Sequence, residues 1–207
     1  MIPRIETERL VLRGMERADF DAFAGLWREP EVIRFIGGKP RPVAESWGVF
    51  LKIAGNWAME GFGQWAIIRR SDGAFIGQTG FFTAMRGLGA DFDAAPEAGW
   101  VLTTSAHGKG YGREAVGAAH LWFDTQSFGG VSHAMIELGH AASFAIAERL
   151  GYVGLRETED LGDRVLLMRR TSAPDLGGNP SPIPNRPGAF RGSASAREKR
   201  AEARRRR

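Results

Sequence analysis

Along the first 170 residues, short apolar runs alternate with longer segments in which apolar residues recur at helical spacing. The runs predict strands at 9–14, 64–69, 75–81, 97–103, 132–138, 152–158 and 163–169. The spaced segments predict helices from Arg17 to about Arg28, from Val43 to Glu60, from 110 to 127 and from 141 to 150. Ser71-Asp72-Gly73, between two apolar runs, is a hairpin turn signal. On the helix at 110–127, Ala115, Ala118, Ala119 and Trp122 form the apolar stripe, and Gly151 stops the helix that follows. Strands and helices mixed in this order predict an α/β (α+β) fold with no internal repeat.

The pattern ends near residue 170. From Thr171 onward Pro, Gly, Ser and Asn dominate, including Pro180, Pro182, Pro184 and Pro187. So little apolar surface does not offset the chain's conformational entropy, and the expected organisation is a domain over 1–170 and a disordered basic tail over 171–207. Charge divides at the same place: residues 1–170 carry 19 Lys+Arg and 21 Asp+Glu, a net of −2, while 171–207 carry 9 and 3, a net of +6, together the chain's +4. The cluster Arg197-Glu198-Lys199-Arg200 and Arg204 to Arg207 reads either as a solvated appendage or as a weak RNA or ribosome contact. Phe190 is the tail's only aromatic residue able to stack on a base.

A chain of 207 residues, 43% hydrophobic, is long enough for one sizeable core. No run approaches 18 apolar residues and the N-terminus lacks a charged-then-apolar leader, so a cytoplasmic protein with no membrane partner is expected. The sequence holds no cysteine, which excludes disulfides, thiolate zinc sites and an acyl-cysteine intermediate. His107, His120, His133 and His140 include no pair at helical ligand spacing, and no metal is expected.

The densest chemical signal is His107-Gly108-Lys109-Gly110-Tyr111-Gly112-Arg113-Glu114-Ala115, between the apolar run Gly99-Trp100-Val101-Leu102 and a predicted helix. Alternate glycines admit close approach to the backbone, and a helix start offers unpaired N–H groups, so the segment reads as an anion seat or as a glycine-rich turn without a ligand. No Gly-Lys-Ser or Gly-Lys-Thr closes it, against a nucleoside triphosphate loop. Gly110-Tyr111-Gly112-Arg113-Glu114-Ala115 fits the dinucleotide pattern formally, but the preceding strands are antiparallel hairpin material and position 132 is Ser where an acidic residue belongs.

Glu97-Ala98-Gly99-Trp100-Val101-Leu102, the glycine segment with Glu114-Ala115, and Ser143 with Glu148-Arg149-Leu150-Gly151-Tyr152 together resemble the central and C-terminal motifs of the GNAT superfamily of acyl-CoA-dependent N-acetyltransferases. The opening Thr7-Glu8-Arg9-Leu10-Val11-Leu12-Arg13 and Pro30-Glu31-Val32-Ile33-Arg34-Phe35-Ile36 resemble the branch of RimJ and RimL type. The resemblance spans residues 3–170. It implies a mixed, mostly antiparallel central sheet flanked by helices and splayed between strands 4 and 5.

It also implies acetyl-CoA as co-substrate, with the diphosphate on backbone amides of Gly108, Lys109, Gly110, Tyr111, Gly112 and Arg113 and the pantetheine arm along Val101, Leu102 and Thr103. His107 stands where the family usually has Gln or Arg. Attack requires a neutral amine: a lysine amine of pKa ~10.4 is neutral at pH 7 to about 0.04%, an α-amine of pKa ~7.8 to roughly 14%, a difference of ~3.5 kcal/mol. Glu97, opening the strand beside the thioester, is the expected base, directly or through water, and otherwise a hydrogen-bonded strand-end carboxylate. The tyrosine that many relatives offer to the leaving thiolate is Ala147 here. Ser143 is then the best hydroxyl near the sulfur, and His140, replacing the Asn of an Asn-x-x-Ser motif, either supplies that residue's hydrogen bond or shuttles a proton.

Trp27, Phe35, Trp47, Trp57, Trp65, Phe81, Phe82 and Trp100 are expected mostly in the core, some of them walling an acceptor pocket. The expected activity is acetyl transfer by direct attack to a primary amine, a protein N-terminus or a small molecule. The alternatives are a catalytically degenerate acyl-CoA-binding module and a ribosome- or RNA-associated protein acting through the tail. Acceptor and oligomeric state, a homodimer included, stay open.

Overall fold

The computed structural model describes residues 1–160 and 162–172, so the basic tail lies outside the described residues. Eight strands, β1 (Ile5–Glu6), β2 (Leu10–Arg13), β3 (Gln64–Arg69), β4 (Phe75–Phe82), β5 (Glu97–Leu102), β6 (Val131–Glu137), β7 (Val153–Asp160) and β8 (Asp163–Thr171), form one sheet ordered β1-β2-β3-β4-β5-β6-β8-β7. Every pairing is antiparallel except β5 with β6. The helices are α1 (Phe20–Leu26), α2 (Pro30–Ile33), α3 (Val43–Glu60), α4 (Ala90–Asp93), α5 (Tyr111–Asp124) and α6 (Ala141–Arg149). Among the described residues no helix is long and apolar enough to cross a membrane.

Helix α3 has the bounds that its periodicity predicts, and Gly61, at φ +74°, ends it in the left-handed region. Asp72-Gly73 makes the expected turn, with Gly73 at φ +70°. The predicted helix from Arg17 is a 3-10 turn at Arg17–Asp19 followed by α1, because Glu16 and Asp19 form a reciprocal cap at that point. Helices α2 and α4, of four residues each, are too short for a periodic signal.

The sheet is covered on both faces. On one, Phe20 and Phe23 of α1, with Trp27 just past its end, interlock with Phe50 and Ile53 of α3. On the other, α5 lies close because Ala115 and Ala119 carry only methyl groups there, and Phe123 stacks on Phe81 at 3.9 Å. The buried stripe of α5 is Ala115, Val116, Ala119, His120 and Phe123, with Ala118 and Trp122 at its margin rather than in its centre.

His120 heads a buried polar chain. Its Nδ1 lies 2.8 Å from the Val116 carbonyl, its Nε2 2.9 Å from the Tyr152 hydroxyl, and that hydroxyl 2.7 Å from Ser132 Oγ. A carbonyl only accepts, so Nδ1 carries the proton, Tyr152 donates to Nε2 and Ser132 donates to Tyr152. Burial pushes the imidazole down from 6.5 to about 4. The unfolded chain takes up this proton below pH 6.5 and the folded one only near pH 4, so the stabilisation is complete above 6.5 and is lost as pH falls through that window. The gap amounts to roughly 3 kcal/mol. Urea unfolding at pH 7 and pH 4.5 is expected to show a loss of this order, and a shallower one in His120→Gln.

Candidate active site

Strands β5 and β6 meet at a single registered pair, Glu97 with His133, where the His133 N–H donates to the Pro96 carbonyl at 2.8 Å. Beyond it they diverge, which is the expected splay between the fourth and fifth predicted strands. The consequence is unusual for an interior strand: Gly99, Trp100 and Val101 are only partly buried.

Alternation along β5 decides which main-chain groups face this opening. The Thr103 N–H donates to the Ile76 carbonyl at 2.9 Å, so odd-numbered residues turn toward β4 while Pro96, Ala98, Trp100 and Leu102 turn toward β6. The Leu102 carbonyl is occupied by the His107 Nε2–H at 3.0 Å. Among the described residues, that leaves the N–H and C=O of Trp100 and the N–H of Leu102 without a strand partner. Of the residues expected along the pantetheine arm, Leu102 faces the opening, whereas Val101 and Thr103 direct their main chain to β4. Trp100, expected only as core or acceptor wall, joins Leu102. This parity depends on where β6 departs, which the sequence of β5 does not encode.

A 3-10 turn, Thr104–Ala106, carries the chain into the glycine segment. Gly108 at φ +70° and Gly110 at φ +79° are left-handed, and α5 starts at Tyr111 with no side chain among the described residues capping its first N–H groups. Gly112 is needed for closeness instead: a Cβ there would lie 3.3 Å from Ile146 Cδ1 and 3.6 Å from Leu102 Cδ1. Lys109 and Arg113 are exposed beside the turn.

The N-terminal Thr7-x-Arg9 signature holds this turn in place. Thr7 Oγ1 donates to Glu114 at 2.6 Å, the Arg9 N–H and Nε–H reach the same carboxylate at 2.9 and 2.7 Å, and Arg9 Nη1 donates to the Lys109 carbonyl at 3.0 Å. Partial burial disfavours the charge on Glu114, but these hydrogen bonds outweigh it and hold the carboxyl below its ordinary range.

Across the opening, Ser143 sits in the first turn of α6. The Trp100 indole N–H donates to Ser143 Oγ at 3.1 Å, and the Ser143 N–H donates to His140 Nδ1 at 3.1 Å. His140 thus caps α6 as an Asn would, through the hydrogen-bonding option open to it, with Phe35 edge-on at 4.4 Å. Burial pushes its pKa below the usual histidine value. Ala147 is fully buried. Neither tyrosine reaches this place: Tyr152 is in the His120 chain and Tyr111 lies beneath Arg9.

Glu97 opens β5 as expected, but it is 6% exposed and gripped by Arg86, with Nε–Oε2 at 2.7 Å and Nη2–Oε1 at 2.9 Å. Arg86 also meets Asp160 at 3.3 Å. Burial works against the charge of Arg86, and the two carboxylates restore it, leaving its pKa raised. Sequence reasoning missed Arg86, which lies in a loop with no motif. On the same face Gln78 donates to Gln64 at 3.3 Å, while its own Oε1 has no partner among the described residues.

The family profile described as "Acetyltransferase (GNAT) domain" matches residues 9–153. The chain belongs to this family. An acetyltransferase from Agrobacterium tumefaciens is 30% identical over 83% of this chain and 96% of its own, with a TM-score of 0.71. A GNAT-family acetyltransferase from Bordetella pertussis is 28% identical over 82% and 99%, with a TM-score of 0.75. A phosphinothricin acetyltransferase from Sinorhizobium meliloti, solved with AcCoA, is 21% identical over 84% and 94% and shares the GNAT fold at a TM-score of 0.66. Membership supports acyl-CoA-dependent acetyl transfer in general terms, and the half-open β5 edge beside an uncapped glycine turn fits such a co-substrate.

Proposed function

We propose that this GNAT protein transfers an acetyl group from acetyl-CoA to the neutral form of a low-pKa primary amine, such as a protein N-terminus, by direct attack within a ternary complex. The observation that carries the reading is the pairing of an interior strand, β5, whose edge opens beyond Glu97, with the uncapped start of α5. The N–H groups of residues 108–113 would hold the diphosphate. Trp100 and Leu102 would receive the pantetheine arm as an added strand, and a β5 N–H would hold the oxyanion. His107, by taking the Leu102 carbonyl, stiffens the join between strand and turn.

Glu97 would serve the amine side, but Arg86 occupies both of its oxygens. It acts best by orienting a water through its remaining lone pairs, which suits amines that are already partly neutral. The resemblance to the RimJ and RimL branch agrees with an α-amine acceptor. Because the chain holds no cysteine, any free thiol released in an assay is coenzyme A. With a panel of peptides and small amines, α-amines are expected to exceed lysine-type amines more than tenfold at pH 7, the difference narrowing toward pH 9. The Arg86 grip on Glu97 and the alanine at 147 favour the second reading, a binding module without turnover. Coenzyme A binding with no thiol release from any amine would establish it.

A further inference from the structure

We propose that Trp100 is a positioning residue for the departing sulfur, acting through Ser143. The inference rests on the acetyl-transfer reading and adds a residue to it. An indole N–H only donates, so in the 3.1 Å contact between Trp100 Nε1 and Ser143 Oγ the hydroxyl is the acceptor. The Ser143 proton must therefore point elsewhere, and among the described residues no acceptor takes it. Ser143 is half-buried at the edge of the opening, its N–H already committed to His140 Nδ1. A hydroxyl whose lone pair and backbone are both held has one remaining freedom, to donate into the space between β5 and α6.

Trp100 is suited to this role by its place on the strand. Its main chain faces the opening, while its side chain packs against the α5 face of the core, so the ring is anchored from behind. It spans from one arm of the splay to the other at the level where Ala147, fully buried, offers no hydroxyl.

The chemistry balances without a proton leaving Ser143. The amine nitrogen forms a bond to the carbonyl carbon, the carbon–sulfur bond breaks, and sulfur departs with the electron pair as a thiolate. The proton lost by the amine passes through a water to a remaining lone pair of the Glu97 carboxylate. A thiol is a far stronger acid than an amine and a competent leaving group as its anion, so a shared hydrogen bond suffices to stabilise the developing charge. Trp100 pre-orients that donor and lowers the reorganisation needed when the bond breaks.

The test uses the full chain in three variants, Trp100→Phe, Ser143→Ala and the double substitution. Two readouts are taken: steady-state kinetics with the best amine found, and the affinity for coenzyme A between pH 6.5 and 9.5. Trp100→Phe keeps an aromatic ring at this position and removes the N–H. It is expected to lower kcat about five- to tenfold, with KM for acetyl-CoA within about twofold, and the double variant should be no slower than Ser143→Ala. In the wild type coenzyme A should bind more tightly as its thiol ionises, and both single variants should flatten that rise by about tenfold.

Multiplicative loss in the double variant, or a Ser143→Ala effect that Trp100→Phe does not share, would overturn the proposal while leaving acetyl transfer intact. A raised KM with unchanged kcat would do the same, reducing Trp100 to a wall of the cofactor site. The pH dependence of coenzyme A binding serves even without turnover: there a shared flattening sustains the Trp100–Ser143 link and sinks only the acetyl-transfer reading. A wild type that binds no coenzyme A at all would end both.

Discussion

Gly110→Pro is expected to raise the dissociation constant for coenzyme A by roughly 100-fold or more. Gly110 sits at φ +79°, and proline is confined near −65°, so the peptide between Lys109 and Tyr111 must rotate by far more than local adjustment absorbs. Two anchors go with it. The Gly110 carbonyl accepts from the Glu114 N–H at 3.1 Å, starting α5, and the neighbouring Lys109 carbonyl is held by Arg9. Dispersing the amides of residues 108–113 forfeits two or three hydrogen bonds to charged oxygens at about 1.5 kcal/mol or more each, which sets the estimate. Calorimetric titration measures it, with circular dichroism confirming that the rest of the domain stays folded. Gly110→Ala should fall between, since a left-handed non-glycine residue costs roughly 1–2 kcal/mol and its Cβ meets only Arg9 Nη2 at 3.4 Å. Undiminished affinity in the proline variant would remove the diphosphate from this turn.

Glu97→Ala is expected to destabilise the fold by about 3–5 kcal/mol, a fall in melting temperature of roughly 10 °C. The cause is the partner left behind. Arg86 is three-quarters buried and would lose a two-pronged contact, keeping Asp160 at 3.3 Å. That remaining contact places the expectation toward the lower end. Arg86→Ala should be at least as damaging, because it leaves the Glu97 and Asp160 side chains, both largely buried, as neighbouring anions. Scanning calorimetry decides it: a melting temperature within 2 °C of wild type would mean the pair carries no structural load. Any activity lost in Glu97→Ala can be assigned to proton transfer only after this comparison.

Those two positions also mark what the sequence could and could not convey. The glycines at 108, 110 and 112 were legible because left-handed turns and close helix packing each demand that residue, and Glu97 was legible as the first residue of an apolar run. Long periodic elements such as α3 and the Asp72-Gly73 hairpin were legible for the same local reasons. Arg86 was not, since a loop arginine acquires meaning only when folding brings it 2.7 Å from a carboxylate. Nor was the side of β5 that opens, because Trp100 and Val101 differ in exposure of their main chain only through the path taken by β6. His140 was readable as the replacement for the Asn of an Asn-x-x-Ser motif, and Ser143 as the nearby hydroxyl. The indole that joins Ser143 to the other arm is a long-range contact that no spacing announces.

The lone rung between Glu97 and His133 divides the sheet into two panels on a hinge. One panel, β1 to β5 with α5, owns the glycine turn; the other, β6, β8 and β7 with α6, owns His140 and Ser143. Changes that tilt or thicken the second panel alter the width of the gap without disturbing the first. The mouth and the seat are thus separately adjustable, and homologous chains can diversify in what they admit while holding constant what they grip.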